Sequence, residues 1–188
     1  MPLIDVWTIS LAEPRPGQEA ILSPDELTRA ARFRFETDRI RWTRTRSALR
    51  SILGRCLNQP PHGLQFLTGP HGKPSLHPES HLHFNLSHAG EYALIAVAET
   101  TPVGVDIERI RPKVDIAALL RRLSETDLPD TIPALYQRWT QREARSKAAG
   151  GELFAPPRGD IFALDIHAPE GYAASIACAG SPPAVRYR

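Results

Sequence analysis

Few features of exported, membrane-spanning or disulfide-stabilised proteins occur in this sequence. Its 188 residues include only two cysteines. Both Cys56 and Cys178 have apolar neighbours, so we expect small buried residues rather than a disulfide framework. The longest apolar run, residues 92–98, is far too short to cross a bilayer, and residues 1–10 lack the basic segment of an export signal. Together these absences favour a reduced, cytoplasmic protein.

Common phosphate-binding signatures are missing as well. The sequence contains no glycine-rich motif of the Walker or dinucleotide-binding type, no internal repeat and no low-complexity segment. Its hydrophobic fraction of 41% and charged fraction of 23% are ordinary for a folded protein. At this length we expect one compact unit, with either a single core or two half-sized lobes that share an interface.

Lysine is scarce: the 23 lysine and arginine residues comprise 20 arginines and only three lysines. Nine of these arginines lie in residues 29–55, where they face only two acids. Such a block is typical of a protein with a polyanionic partner, but it also fits a solvated basic helix. A helix over residues 38–58 would place Arg39, Arg46 and Arg50 along one edge of its apolar stripe.

The pattern of apolar residues and turn signals predicts a mixed α+β fold. Strands and helices do not alternate in the way that a parallel doubly wound sheet requires. Three consecutive strands within residues 81–109 predict a meander. A capping box at residues 23–26 predicts a helix start, and Pro133 and Gly150 are suited to open and close a later helix. The predicted strands cover residues 3–9, 64–68, 81–87, 92–99, 103–109, 161–166 and 172–177, and later helices cover residues 38–58, 115–123 and 132–149.

Two carboxylates two positions apart form the first candidate site. Asp106 and Glu108 lie on a predicted strand, so both side chains project from one face while Val105 and Ile107 project from the other. Mg²⁺ prefers oxygen ligands and accepts a few carboxylates, whereas two uncompensated carboxylates would repel each other. The alternative is a solvated strand end, because Asp-X-Glu is a common sequence.

A third carboxylate lies on the predicted helix that ends at Gly150. Trp139, Glu143 and Lys147 are spaced four residues apart and form one slanted row on that helix. We expect Trp139 to hold this row against the core. The alternative to a functional role is a structural ion pair between Glu143 and Lys147.

Polar residues at the end of a predicted strand form a second candidate site. If the apolar residues between 82 and 86 point inward, Asn85, Ser87 and the following His88 are left at an edge, where they could hold a phosphate group. The alternative is an ordinary turn. Five of the seven histidines lie nearby, so a zinc site has to be considered. We disfavour it, because neither cysteine is close in the sequence and the spacing of the histidines differs from that of a structural zinc site.

Four short motifs follow one another along about 80 residues of the chain. They are Gly72-Lys-Pro74, Phe84-Asn-Leu-Ser-His-Ala-Gly90, Gly104-Val-Asp-Ile-Glu108 and Trp139-Thr-Gln-Arg-Glu-Ala-Arg-Ser-Lys-Ala-Ala-Gly150. In this order they resemble the motif series of surfactin-type 4′-phosphopantetheinyl transferases. Each motif is weak alone, whereas four in order are specific. With the arginine-rich helix before them and the closing hairpin after them, the resemblance covers nearly the whole chain.

The resemblance implies a pseudo-twofold α+β fold of two similar lobes, residues 1–99 and 100–188, with coenzyme A in the active site between them. It also implies a monomer that uses Mg²⁺. Asp106, Glu108 and Glu143 would be the metal ligands. Glu143 and Lys147 would be catalytic, Glu143 as the general base, directly or through a metal-bound water, and Lys147 on the attacked phosphate. The residues that would contact coenzyme A are Arg46, Arg50, Lys73, Pro74, Ser87, His88, Asp106 and Lys147.

The implied reaction moves 4′-phosphopantetheine from coenzyme A to a serine of an apo acyl or peptidyl carrier protein and releases 3′,5′-ADP. Arg46 and Arg50 would bind the 3′-phosphate. The sequence departs from the family pattern in two places: Arg142 stands where lysine is usual, and the segment Gly150-Gly-Glu-Leu153 replaces Gly-X-Gly-Leu. Two alternatives stay open, a basic nucleic-acid-binding protein that uses residues 29–55 and a catalytically inactive module that binds carrier proteins.

Overall fold

The computed structural model describes residues 1–13, 16–69, 73–113, 115–122, 127–150 and 160–188. The chain divides into two compact units: the first unit comprises residues 1–8, 81–90 and 94–188, and the second unit comprises residues 9–80 and 91–93. The helices are α1 (Pro24–Ala31), α2 (Glu36–Leu57), α3 (Ile116–Arg122) and α4 (Ile132–Ala148). The strands are β1 (Leu3–Ser10), β2 (Gln65–Thr68), β3 (Pro74–His77), β4 (His83–Ala89), β5 (Tyr92–Ala98), β6 (Val103–Arg109), β7 (Ile161–Asp165), β8 (Tyr172–Ala179) and β9 (Ala184–Tyr187). The predicted mixed α+β class is therefore confirmed.

Two larger sheets organise the strands. One has the order β4-β5-β1-β9 and the other the order β6-β8-β7, while β2 and β3 form a separate pair. β4 and β5 are neighbours, as the predicted meander requires, but β6 belongs to the other sheet, so that prediction was wrong for its third strand. β6 instead pairs along its whole length with β8, from Val103 opposite Cys178 to Arg109 opposite Tyr172. Such pairing between distant segments leaves no local signal in the sequence.

Small residues bring α4 close to the three-stranded sheet. Ala144 and Ala148 of α4 pack against Ala177 of β8 in one buried cluster. A Cβ atom on Gly104 of β6 would collide with the carbonyl oxygen of Ala144 and lie 2.5 Å from the amide nitrogen of Ala148. Because no larger residue fits there, Gly104 sets the close approach of α4 to β6.

Both ends of α4 follow the sequence signals. The Thr131 hydroxyl caps the N terminus by accepting a hydrogen bond from the amide of Ala134, and Pro133 lies in the first turn. Gly150 adopts a φ of +65° just after the helix, a conformation that glycine tolerates best. The predicted span of 132–149 is confirmed to within one residue.

Two short strands were missed, β3 and β9. β3 pairs with β2 in a small antiparallel hairpin. β9 pairs with β1 in parallel, although it lies at the opposite end of the chain. No residue of β9 is fully buried, so the strand lacks the apolar alternation that would reveal it.

In the second unit, α1 begins with the predicted capping box. The Ser23 hydroxyl accepts from the amide of Glu26, and the Glu26 carboxylate accepts from the amide of Ser23. α2 buries Leu49, Ile52 and Leu53, which confirms most of its predicted apolar stripe. None of the described helices is long and apolar enough to cross a membrane.

The two cysteines have different environments. Cys178 is buried in β8, as expected, whereas Cys56 is exposed, so the expectation for Cys56 was wrong. Cys56 lies in the last turn of α2, after the buried Leu53, where the helix leaves the core of the second unit.

Candidate active site

Asp106, Lys147 and Ser87 meet in the first unit, where β6, α4 and β4 each supply one of them. Nζ of Lys147 donates to Oδ1 of Asp106 at 2.6 Å, and the Ser87 hydroxyl donates to the same oxygen at 2.8 Å. The side chain of Asp106 is 5% exposed and that of Lys147 is 28% exposed. The structure therefore brings three of the predicted site residues into direct contact, and the cluster reaches solvent mainly through the lysine.

One oxygen of Asp106 has no hydrogen-bond partner. Oδ2 is buried, yet it receives no hydrogen bond. Leaving a carboxylate oxygen buried without a donor is costly, and a bound cation is one way to satisfy it. Mg²⁺ binds through carboxylate oxygens. The residues present here therefore fit a site for Mg²⁺.

Burial and the charge of Asp106 raise the pKa of two neighbouring carboxyl groups, those of Glu143 and Glu108. Burial and then the charge of Asp106 raise the pKa of Glu143 from 4.5 to about 7, against the opposing charge of Lys147. The pKa of Glu108 is also raised, first by burial and then by Asp106. A cation would relieve this repulsion. Among the described residues, no group of three or more Asp, Glu, His or Cys side chains is arranged so that it could hold a metal ion. The metal-ligand assignment therefore stays a prediction.

Strand β6 and helix α4 hold these carboxylates through the core beneath them. Val105 and Ile107 are buried, as expected for the face of β6 opposite Asp106. Trp139 packs in a buried cluster with Leu120 and Tyr136, which confirms that it holds the helical row against the core. The Trp139 side chain also hydrogen-bonds Glu108. One tryptophan thus links the core of the first unit to a carboxylate of the site.

The polar residues of β4 are placed differently from the prediction. Asn85 and Ser87 are buried rather than at an exposed edge, and Leu86, expected inside, is only half-buried. The reason is that Oδ1 of Asn85 accepts from a backbone amide of β6 at 2.9 Å, and Ser87 also bonds β6. His88 is exposed at the end of this strand. Its phosphate-binding role stays a prediction.

Arg46 and Arg50 converge on Glu26 in the second unit. Nε of Arg50 donates to Oε2 of Glu26 at 2.6 Å, and Nε of Arg46 donates to Oε1. Arg50 is 1% exposed, and its Nη1 donates to two backbone carbonyl oxygens at 2.8 Å and 2.9 Å. Arg46 lies over the ring of Phe66, 4.0 Å from its centroid. Contact of either arginine with a 3′-phosphate stays a prediction, and Arg50 is the more deeply committed to structural partners.

Lys73 and Pro74 lie at the start of β3 in the second unit. The carbonyl oxygen of Lys73 accepts from the amide of Gly69 at 2.9 Å, beside the pairing of β2 with β3. Contact of Lys73 and Pro74 with coenzyme A stays a prediction. Gly72, the first residue of that motif, and residues 151–153, where the sequence departs from the family pattern, lie outside the described residues.

Three supporting residues of the site were not singled out from the sequence: Gly104, Thr140 and Ser175. Gly104 and Thr140 belong to the motifs that carry the resemblance, so their positions in those motifs were the available signal. Ser175 has no such signal, because its contact with Thr140, 2.8 Å between the two hydroxyl oxygens, depends on the pairing of β8 with β6.

Comparisons with known proteins agree with one another. A family model described as 4′-phosphopantetheinyl transferase, N-terminal, matches residues 14–100. The chain is 39% identical over 162 residues to the 4′-phosphopantetheinyl transferase HetI of Nostoc sp., which covers 78% of this chain and 68% of that relative. It is 33% identical over 162 residues to a putative 4′-phosphopantetheinyl transferase of Synechocystis sp., covering 80% and 66%. It is 26% identical over 156 residues to the 4′-phosphopantetheinyl transferase Sfp of Bacillus subtilis, covering 79% and 68%. The matched regions thus span about two thirds of each relative.

Proposed function

Because this chain belongs to the 4′-phosphopantetheinyl transferase family, we propose that it transfers 4′-phosphopantetheine from coenzyme A to a serine of an apo acyl or peptidyl carrier protein. The serine hydroxyl oxygen attacks the β-phosphorus, the bond from that phosphorus to the bridging oxygen breaks, and 3′,5′-ADP leaves. The observation that carries the proposal is the juxtaposition of Asp106, Glu143 and Lys147, because phosphoryl transfer depends on charges fixed around the phosphate groups.

The side chains of the site have different roles in this proposal. Lys147, whose side chain is 28% exposed, binds the attacked phosphate through its ammonium group. Glu143 accepts the proton of the serine hydroxyl, directly or through a water molecule. Its pKa is raised to about 7 in the protein without metal, and a bound cation would lower that pKa. Asp106, Glu108 and Glu143 would hold Mg²⁺. When bound, Mg²⁺ supplies positive charge that stabilises the charge on the pyrophosphate.

The proposal extends to the finer features that the motif resemblance implies. The protein would be a cytoplasmic monomer of the surfactin type, with lobes of residues 1–99 and 100–188 related by a pseudo-twofold axis and coenzyme A between them. The order of the four motifs supports the surfactin-type assignment. The remaining residues that would contact coenzyme A are Arg46, Arg50, Lys73, Pro74, Ser87 and His88.

Nucleic-acid binding by the arginine-rich segment is less well supported. Arg39 is paired with Glu36 at 2.6 Å and with Glu19 at 3.2 Å, and Arg46 and Arg50 share a buried carboxylate. Part of the local positive charge is therefore already neutralised within the second unit. An inactive carrier-binding module is also disfavoured, since the acidic and basic groups that the chemistry needs are present.

Mass spectrometry tests the proposed function directly. Purified protein is incubated with Mg²⁺, coenzyme A and a panel of apo carrier proteins, each paired with a variant whose acceptor serine is alanine. We expect at least one carrier to gain the mass of one phosphopantetheine group and its serine-to-alanine variant to gain nothing. A panel that stays unmodified throughout would overturn the proposal.

A further inference from the structure

One row of the three-stranded sheet carries three polar side chains on the face toward α4. Asp106 of β6 lies opposite Ser175 of β8, and Ser175 lies opposite Asp165 of β7. Residues directly opposite each other in antiparallel strands project from the same face of a sheet. We call Asp106, Ser175 and Asp165 the polar row.

Helix α4 contacts every member of the polar row. The hydroxyl oxygens of Thr140 and Ser175 lie 2.8 Å apart, and Nε2 of Gln141 donates to Oδ1 of Asp165 at 2.6 Å. The Ser175 hydroxyl is also 3.3 Å from Oδ1 of Asp165, and the Thr140 hydroxyl is 3.0 Å from the carbonyl oxygen of Gln137 in its own helix. Either hydroxyl can therefore be the donor between Thr140 and Ser175, because the accepting hydroxyl has a further acceptor for its own proton. The remaining member of the row is bound by Lys147. The three neighbouring strands β6, β8 and β7 therefore each hold α4 through side-chain hydrogen bonds.

Thr140 and Ser175 are the buried centre of this arrangement, since both are 0% exposed. Packing alone does not require two hydroxyl groups there, because an apolar pair of the same shape can be nearly as stable. A hydrogen bond adds a distance requirement that apolar contact lacks. Sliding α4 by one residue is an axial shift of about 1.5 Å, enough to break this bond.

The same shift would misplace the reactive groups. Glu143 and Lys147 lie three and seven residues after Thr140 and therefore share its face of the helix. Any movement of α4 along its axis changes the position of both relative to Asp106, which is fixed in β6. Gly104 allows α4 to approach β6 closely, but a position without a side chain does not define where along the strand the helix stops.

We propose that Thr140 and Ser175 are positioning residues of the phosphopantetheinyl-transfer site. Their buried hydroxyl contact fixes the axial position of α4, and thereby holds Glu143 and Lys147 at the correct height above Asp106. The catalytic consequence rests on the proposed function, whereas the structural part does not.

The first test measures the position of α4 without any assay of activity. Urea unfolding of Asp106→Asn, Lys147→Met and the double variant gives the coupling between the two residues. The cycle is repeated in the Thr140→Val background, which keeps the shape of the side chain and removes its hydroxyl. We expect the coupling to fall to about half or less, and Thr140→Ser to restore it. Unchanged coupling in the Thr140→Val background would overturn the proposal, and Ser175→Ala provides the same test if Thr140→Val does not fold.

The second test separates positioning from general stability. In Thr140→Val we expect kcat to fall about tenfold or more while KM for coenzyme A changes less than about twofold, and Thr140→Ser to recover most of the rate. The matched control is Thr45→Val, since Thr45 is likewise buried in a helix and its hydroxyl likewise bonds a carbonyl of its own helix, that of Arg41, but among the described residues it makes no hydrogen bond to a strand. An unchanged kcat in Thr140→Val, or an equal loss in the control, would contradict the proposal. If the wild-type protein modifies no carrier, the proposed function fails, and the coupling measurement still decides the positioning role.

Discussion

Two buried clusters of acidic and basic side chains, one in each unit, differ in how far hydrogen bonds satisfy their carboxylates. In the second unit, both oxygens of Glu26 accept hydrogen bonds, one from Arg46 and the other from Arg50 and the amide of Ser23. Burial by itself would raise the pKa of Glu26, but the bonds from Arg50 and Ser23 and the charge of Arg46 lower it. The carboxylate of this cluster is therefore complete in its hydrogen bonds without any ligand, although two arginines share it and burial lowers the pKa of Arg46.

In the first unit, the cluster around Asp106 is incomplete. One carboxylate oxygen of Asp106 is buried without a partner, and the neighbouring Glu143 has its pKa raised to about 7. A group held in an unfavourable protonation environment is typical of a functional site, whereas a satisfied ion pair is typical of a structural one. The difference predicts that substitutions in the two clusters affect different properties, turnover in one and stability in the other.

The largest effect is expected on turnover at the incomplete cluster. Asp106→Ala and Glu143→Gln should each lower the rate of carrier modification about a thousandfold or more, because each removes a proposed metal ligand or the base. Rates are measured by mass spectrometry, and circular dichroism checks that each variant is folded. The control is Glu170→Gln, an exposed acid in the turn between β7 and β8. Rates near that of the wild type in both site variants would refute the assignment of the site.

The next largest effect is expected on the free energy of unfolding, which a substitution should lower in one cluster and leave unchanged or raise in the other. Glu26→Gln leaves the buried guanidinium group of Arg50 and the half-buried one of Arg46 with a weaker partner and should cost about 3 kcal/mol of unfolding free energy. Glu143→Gln removes repulsion from Asp106, so in metal-free buffer it should leave stability unchanged or raise it. Urea unfolding measures both. A loss in Glu143→Gln as large as that in Glu26→Gln would show that both clusters are structural.

Local signals predicted the elements that carry the site better than the contacts that complete it. The end signals Pro133 and Gly150 gave the bounds of α4, and the alternation through Val105 and Ile107 gave β6, because these features depend on neighbouring residues. The pairing of β6 with β8 depends on residues far apart in the chain, so the polar row was missed.

The arginines of α2 illustrate the same limit. Helical geometry correctly placed Arg46 and Arg50 on one edge, but no local pattern pointed to Glu26, on a different helix, as their common partner. The sequence therefore presented Arg50 only as a ligand-binding candidate, and the structure adds that its guanidinium group contacts a carboxylate and two backbone carbonyl oxygens.

The two clusters should also give stability opposite dependences on pH. The pKa of Glu26 is lowered on folding, so its stabilising contribution is present above its ordinary pKa of 4.5 and is lost as the pH falls through the lower folded value. The pKa of Glu143 is raised to about 7, so its contribution is present below 4.5 and is lost as the pH rises toward 7. In metal-free protein, Glu26→Gln should flatten the acid side of the stability profile and Glu143→Gln the interval from 4.5 to 7. Urea unfolding at a series of pH values measures this, and parallel profiles for the two variants would contradict it.

The smallest effect is expected on the binding of coenzyme A by the cluster around Glu26. Contact of Arg50 with a phosphate would require it to exchange its present hydrogen-bond partners, whereas the side chain of Arg46 is 14% exposed. Arg46→Lys keeps the charge but loses the planar donor geometry, so we expect KM for coenzyme A to rise a few-fold, about 1 kcal/mol or less of binding energy, with little change for 3′-dephospho-coenzyme A. Arg39→Lys is the matched control, because Arg39 lies on the same helix edge but pairs with exposed acids. Equal changes for both substrates in Arg46→Lys would mean that this cluster only stabilises the fold and that the 3′-phosphate is bound elsewhere.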